Sequence, residues 1–202
     1  MTKNLLAALA FAILPQLASA QAHVELTPSF NSVAQGETFS VLVHGQGFNT
    51  TPAGLVVDNF QGGQSVAFSF DASKLELLSV NVDTGWSFRR LPGTINNVAG
   101  TLTGMAFLAS PALVPQGPDY AFNFATLQFR ALDAGDASIA VTGGTFVGRV
   151  AGQAAQRVNP TLDTTLVTVT AVVPEPGTAW MLMAGALGLV ALGKRRGAVL
   201  RD

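Results

Sequence analysis

The residues best equipped for recognition chemistry stand together at Trp86-Ser87-Phe88-Arg89-Arg90, between the turn-forming Asp83-Thr84-Gly85 and Pro92-Gly93. A tryptophan beside paired arginines offers a flat apolar face to a sugar ring or a partner side chain, with planar donors for carboxylates. A plainer reading stays open, in which Trp86 or Phe88 plugs the edge of a core while Arg89 and Arg90 are simply solvated. Other polar groups promise less. Asp133 and Asp136 flank Gly135, but the stretch Asp133 to Ser138 has too few closely spaced oxygens for a calcium loop and reads as a polar turn. Asp71 with Ser73 reads as a turn in which the carboxylate bonds its own backbone. Asn49-Thr50-Thr51 matches a glycosylation acceptor and reads as a polar loop.

Catalysis finds little to work with. There are no cysteines and only two histidines, His23 and His44, neither in a recognisable nucleophile context. Without thiols there is no disulfide framework and no zinc site using sulfur. No spacing singles out a pair of carboxylates for glycoside hydrolysis, and no glycine-rich stretch ends in a phosphate-binding Gly-Lys-Ser or Gly-Lys-Thr. The expectation is a protein that is not an enzyme, with no cofactor and no metal. A formal net charge of −1 excludes a strongly basic nucleic-acid binder.

The elements that must position these groups are strands. Thr38 to Val43 and Ser65 to Phe70 alternate, which sets Phe39, Val41 and Val43 on one face, and Val66, Phe68 and Phe70 on one face. Further runs are Leu75 to Val82, Thr101 to Leu108, Phe122 to Leu132, Ser138 to Val141, Thr145 to Val150 and Thr164 to Val172, with His23 to Thr27 and Leu55 to Val57 weaker. Phe122, Phe124, Leu127 and Phe129 face inward if the alternation slips near Thr126. Turn signals at Gln35-Gly36, Gly62-Gly63, Pro92-Gly93, Asp133 to Asp136 and Gly143-Gly144 separate the runs. Eight to ten strands at this spacing predict an all-β, two-sheet antiparallel sandwich over residues 21–173. Thirteen Phe against one Tyr suggest aromatics used mainly for packing.

The two ends read as addresses. Lys3, the apolar run Leu5 to Leu14, and the small residues Ala18 and Ala20 describe a signal peptide over residues 1–20, cleaved after Ala20. This implies a secretion translocase and a signal peptidase as partners. At the far end, Pro174-Glu175-Pro176 precedes Gly177 to Gly193, 17 residues without a charge. As a helix this run is about 25 Å long at 1.5 Å per residue, short of a hydrocarbon core of about 30 Å. Trp180 and the basic stop Lys194-Arg195-Arg196 fit a single transmembrane helix with interface anchors. With both ends set aside, residues 21–173 hold ten acidic and six basic side chains, a net of −4.

The order Pro-Glu-Pro, short apolar helix and basic cluster resembles a PEP-CTERM sorting tail over residues 174–202. That resemblance implies an exosortase, a membrane protease-transpeptidase of Gram-negative bacteria with an exopolysaccharide matrix, acting near Pro174-Glu175-Pro176. It implies transient membrane insertion and delivery to the cell surface or extracellular matrix. A permanently membrane-anchored periplasmic domain is the alternative. Within the middle, Val33-Ala34-Gln35-Gly36-Glu37-Thr38-Phe39, then Ser69-Phe70-Asp71-Ala72-Ser73-Lys74-Leu75, then Ala125-Thr126-Leu127-Gln128-Phe129 resemble a cohesin-like module. This implies a jelly-roll sandwich related to carbohydrate-binding modules, binding a surface protein or exopolysaccharide. A carbohydrate-binding module with a defined sugar site is the alternative, and Trp86, Phe88, Arg89 and Arg90 are the candidate ligand-binding residues.

Overall fold

The computed structural model describes residues 21–114, 120–172 and 181–184. Its strands are β1 (His23–Pro28), β2 (Ser32–Ala34), β3 (Thr38–Gln46), β4 (Asn59–Phe70), β5 (Leu75–Val82), β6 (Arg89–Leu91) and β7 (Thr94–Asn96). They continue with β8 (Thr101–Leu113), β9 (Phe122–Ala131), β10 (Gly135–Arg149), β11 (Gln156–Val158), β12 (Thr161–Leu162) and β13 (Thr164–Thr170). The smaller sheet runs β12-β1-β3-β9-β5. The larger runs β2-β13-β10-β4-β8-β6, with β11 paired to β10 and β7 to β8. The two sheets form the expected sandwich. Among the described residues the strand pairings are antiparallel except β1 with β12 and β2 with β13.

Those two parallel pairs close one side of the sandwich, because both ends of the domain cross from sheet to sheet. Pro28 ends β1, where its missing N–H costs no ladder bond, and the chain turns through Ser29, whose amide donates to Ser40 O at 2.7 Å. At the other crossing Asp163 ties the sheets together. Its amide donates to Val24 O at 3.1 Å, and its carbonyl accepts from Val141 N at 3.0 Å. Its carboxylate accepts from the amides of Leu26 at 3.2 Å and Thr164 at 2.8 Å.

The period of two delivers the core between the sheets. Phe39, Val41, Val43, Val66, Phe68 and Phe70 are all buried on the faces expected of them. At one end Phe48, Phe60, Trp86, Phe107, Phe122, Phe124 and Phe146 form a connected aromatic cluster, with Phe107 stacked on Phe124 at a centroid separation of 4.4 Å. Phe39, Phe129 and Phe70 make a smaller group at the other. Ten Phe side chains are buried among the described residues, so burial of apolar area at about 25 cal/mol per Å² is the principal stabilising term.

Several boundaries differ from the sequence expectation, each for a physical reason. Gly62-Gly63 and Gly143-Gly144 are not turns: they lie inside β4 and β10, where the pairing shifts register. At Gly62, with φ of 131°, a Cβ would fall 1.9 Å from Phe107 O, so glycine lets two strands approach across a bulge. Leu55 to Val57 contributes only an isolated bridge, Thr50 to Val56, within a turn tied by Thr51 N to Leu55 O at 2.9 Å. The slip in β9 falls at Phe124: Val43 pairs with Ala125 while His44 pairs with Asn123. The extra residue keeps Phe122, Phe124, Leu127 and Phe129 all inward.

Candidate functional site

The Trp86 to Arg90 stretch does not form one recognition surface. Trp86 is 1% exposed and packs against Phe60, Phe107, Phe122 and Phe124. Its indole N–H donates to Asn123 O at 2.9 Å. Of the two readings of Trp86, the exposed ligand face is corrected and the edge plug holds: a large ring next to an aromatic cluster gains more by closing the sandwich edge than by standing in water. Phe88 is 70% exposed, and its amide donates to Leu108 O at 3.0 Å, which carries the chain into β6. Arg89 and Arg90 are both exposed but point apart, because Arg89 pairs with the outward Leu108 and Arg90 with the inward Phe107. Arg90 lines a hollow of about 300 Å³ at the sandwich edge with Val80, Asn81, Val82 and Pro92.

The outer face of the larger sheet gathers cations from distant parts of the chain. Register places Arg157 opposite Val147, Val147 opposite Gly62, Gly62 opposite Leu108, and Leu108 opposite Arg89. This row crosses β11, β10, β4, β8 and β6, so at about 4.8 Å per strand the two arginines stand about 19 Å apart. Arg149 lies two residues along β10 from Val147 and pairs with Asn59. It lines a hollow of about 570 Å³ with Asn59, Gln61, Ala109, Ser110, Pro111 and Ala112. Ser110 is held there by Ser87, whose hydroxyl meets Ser110 N and Ser110 O, each at 3.3 Å. The ion pairs among the described residues are His44–Glu25 and Arg130–Glu76, so Arg89, Arg149 and Arg157 have no carboxylate partner there. The nearby Asp58 carboxylate is engaged by Ala151 N at 2.7 Å.

Elsewhere the polar groups are occupied in holding the fold. Ser73 donates both its hydroxyl, at 2.7 Å, and its amide, at 3.0 Å, to the Asp71 carboxylate. The Ser73 hydroxyl, opposed by partial burial and assisted by the amide and Lys74, holds that carboxyl below the usual aspartate range. Asp133 accepts from Ala134 N at 2.9 Å and Asp136 from the Thr168 hydroxyl at 2.8 Å. His44 Nε2 lies 3.1 Å from Glu25 Oε2 on the outer face of the smaller sheet, and His23 Nδ1 lies 2.9 Å from the Thr161 hydroxyl. Among the described residues no three His, Cys, Asp or Glu side chains converge as metal ligands.

Ala18, Ala20, Pro174, Glu175, Pro176, Lys194, Arg195 and Arg196 lie outside the described residues, as does most of Gly177 to Gly193. Residues 181–184 are helical, and no helix among the described residues is long and apolar enough to cross a membrane. Sequence reasoning missed the Arg149–Arg157 surface. Its signal was present as basic residues in an acidic module, but nothing local joins positions 89, 149 and 157.

Residues 172–196 match the PEP-CTERM protein-sorting motif. Curated protein sequences gave no match. The sandwich is similar to solved cohesins. One is the seventh ScaB type I cohesin from Pseudobacteroides cellulosolvens, 16% identical with a TM-score of 0.54, covering 77% of this chain and 96% of that one. Another is the third ScaC cohesin from Acetivibrio cellulolyticus, solved with the ScaB dockerin, 18% identical with a TM-score of 0.54, covering 75% and 100%. A third is the OlpC cohesin from Clostridium thermocellum in a type I cohesin–dockerin complex, 12% identical with a TM-score of 0.55, covering 75% and 95%. At such identities the likeness is one of fold. The chain thus joins a cohesin-like β-sandwich to a PEP-CTERM sorting motif.

Proposed function

We propose that this protein is an exported, non-catalytic component of the cell surface or extracellular matrix, with its sandwich serving as a binding module. The observation that carries this reading is the sorting motif at residues 172–196, directly after β13 ends at Thr170. In this reading residues 1–20 direct export, residues 21–173 form the binding module, and residues 174–202 are the sorting tail. The apolar stretch holds the chain in the inner membrane, the basic stop Lys194-Arg195-Arg196 stays on the cytoplasmic side, and an exosortase cleaves near Pro174-Glu175-Pro176.

The non-catalytic part rests on how polar groups are used: Asp71, Asp133, Asp136 and Asp163 all support backbone or cross-strand bonds. Binding of a polysaccharide or a surface protein suits a sandwich whose outer sheet face carries exposed polar side chains such as Arg89, Arg149 and Arg157. Replacing Pro174, Glu175 and Pro176 together by Ala in the native host tests the reading. The expected result is accumulation of the variant in the inner membrane while the unaltered chain reaches the surface or medium. Equal surface delivery of both would overturn it.

A further inference from the structure

We propose that the Arg149 end of the larger sheet binds an anionic polysaccharide, whose acidic groups meet Arg89, Arg149 and Arg157 while its hydroxyls meet Asn59, Gln61 and Ser110. This names a ligand class and a surface for the binding-module reading above, on which it rests. The charge distribution supplies the first reason. Between residues 21 and 173 the module holds six cations in a net charge of −4, yet three of them share one outer face. Exposed guanidinium groups without carboxylate partners are preorganised for bidentate contact with carboxylate or sulfate.

The hollow supplies the second. Its polar lining of two amides, a serine hydroxyl and a guanidinium offers donors and acceptors to sugar hydroxyls. An acidic protein partner fits less well, since protein interfaces concentrate binding in apolar anchors. Here the centre of the row is Val147, Gly62 and Leu108, and Leu108 is already buried. A spread of about 19 Å across five strands suits an extended polymer rather than a single small anion.

Position supplies the third. The chain leaves the sandwich after Thr170, beside Gly135 at the start of β10, where Val169 pairs with Gly135. Arg149 ends the same strand 14 residues on, about 45 Å away at roughly 3.3 Å per residue. Attachment through the C-terminal end left by cleavage near Pro174-Glu175-Pro176, on the Gly135 side, therefore presents the arginine-bearing end outward.

The test uses the full-length chain in a non-ionic detergent, with affinity electrophoresis through polygalacturonate, dextran sulfate and neutral dextran. Retardation by either charged glycan but not by dextran is expected, falling as salt rises. The preferred glycan tells carboxylate from sulfate. Arg149→Ala with Arg157→Ala should weaken binding on the order of tenfold, as should Gln61→Ala with Asn59→Ala to a smaller degree. Arg130→Ala, on the other sheet, should leave it unchanged. Circular dichroism melts confirm that each variant is folded. No retardation by either charged glycan, equal weakening by Arg130→Ala, or equally tight binding of polyglutamate would overturn the proposal. Retention of the full chain by the native matrix with the arginine variants unaffected would overturn this site and leave the binding-module reading standing. A failure of the tail-replacement test would overturn that reading instead.

Discussion

Replacing Trp86 by Ala separates a core tryptophan from a ligand-binding one. Trp86 is 1% exposed, has four aromatic neighbours with centroids between 4.9 and 6.0 Å, and donates to Asn123 O at 2.9 Å. Truncating a buried ring of this kind costs about 3–5 kcal/mol, a large share of a domain stability of about 5–15 kcal/mol. At about 2–4 °C per kcal/mol for a chain of this size, the melting temperature should fall by about 10 °C. Trp86→Phe keeps most ring contacts and loses the indole hydrogen bond, about 1 kcal/mol, for a fall of about 3 °C. The assay is thermal unfolding of residues 21–173 followed by circular dichroism, with the tryptophan emission of the unaltered chain read alongside. Trp86 is the only tryptophan in that span, since the second is Trp180. Its emission should be blue-shifted and protected from acrylamide in the folded state. A red-shifted, freely quenched emission would refute the reasoning, as would Trp86→Ala melting within about 2 °C of the unaltered chain.

Gly62→Ala should abolish cooperative folding or shift the melt far below that of Gly36→Ala, because a Cβ at Gly62 meets Phe107 O at 1.9 Å while Gly36 faces open space. Gly36→Ala, at φ of 88°, should cost only about 1–2 kcal/mol for its left-handed backbone, read from denaturant unfolding. Ser73→Ala should raise the Asp71 carboxyl toward its ordinary value, followed by NMR titration. Because folding lowers that pKa, its stabilising contribution is present above the ordinary value of about 3.9 and is lost as pH falls through the folded value. Asp71→Asn should accordingly remove part of the acid sensitivity in unfolding curves. Disrupting the exposed Arg130–Glu76 pair by Glu76→Gln should cost about 0.2–1 kcal/mol, and less at high salt, by the same unfolding measurement.

The central strands were legible because alternation and burial agree: β5 spans Leu75–Val82 as expected, and the inward faces of β3 and the second half of β4 are those read from the sequence. Double glycines misled. Gly62-Gly63 and Gly143-Gly144 carry the punctuation of turns, yet Gly62 and Gly63 pair on both sides within β4 and Gly143 pairs with Ala67 of β4, which keeps both within strands as bulges. The short pieces β2, β7, β11 and β12 have little pattern of their own and exist because a neighbouring strand offers partners. Trp86 left two readings open, since turn residues on both sides suggest exposure while its aromatic ring suits the core, and tertiary packing decides for the core. Arg89 and Arg157 come to share one sheet face only through a row of pairings spanning five strands, which no local spacing encodes. The sorting tail was legible for the converse reason: its signal is contiguous, and residues 172–196 match as a unit.

The most direct test of the central claim is the intact mass of the protein recovered from the medium, surface and membranes of its native host. Sorting through the tail predicts a surface or medium form lacking residues 1–20 and everything beyond the neighbourhood of Pro174-Glu175-Pro176. A surface form whose mass still includes Trp180 through Arg196 would mean that the tail is a permanent anchor, and would contradict the account.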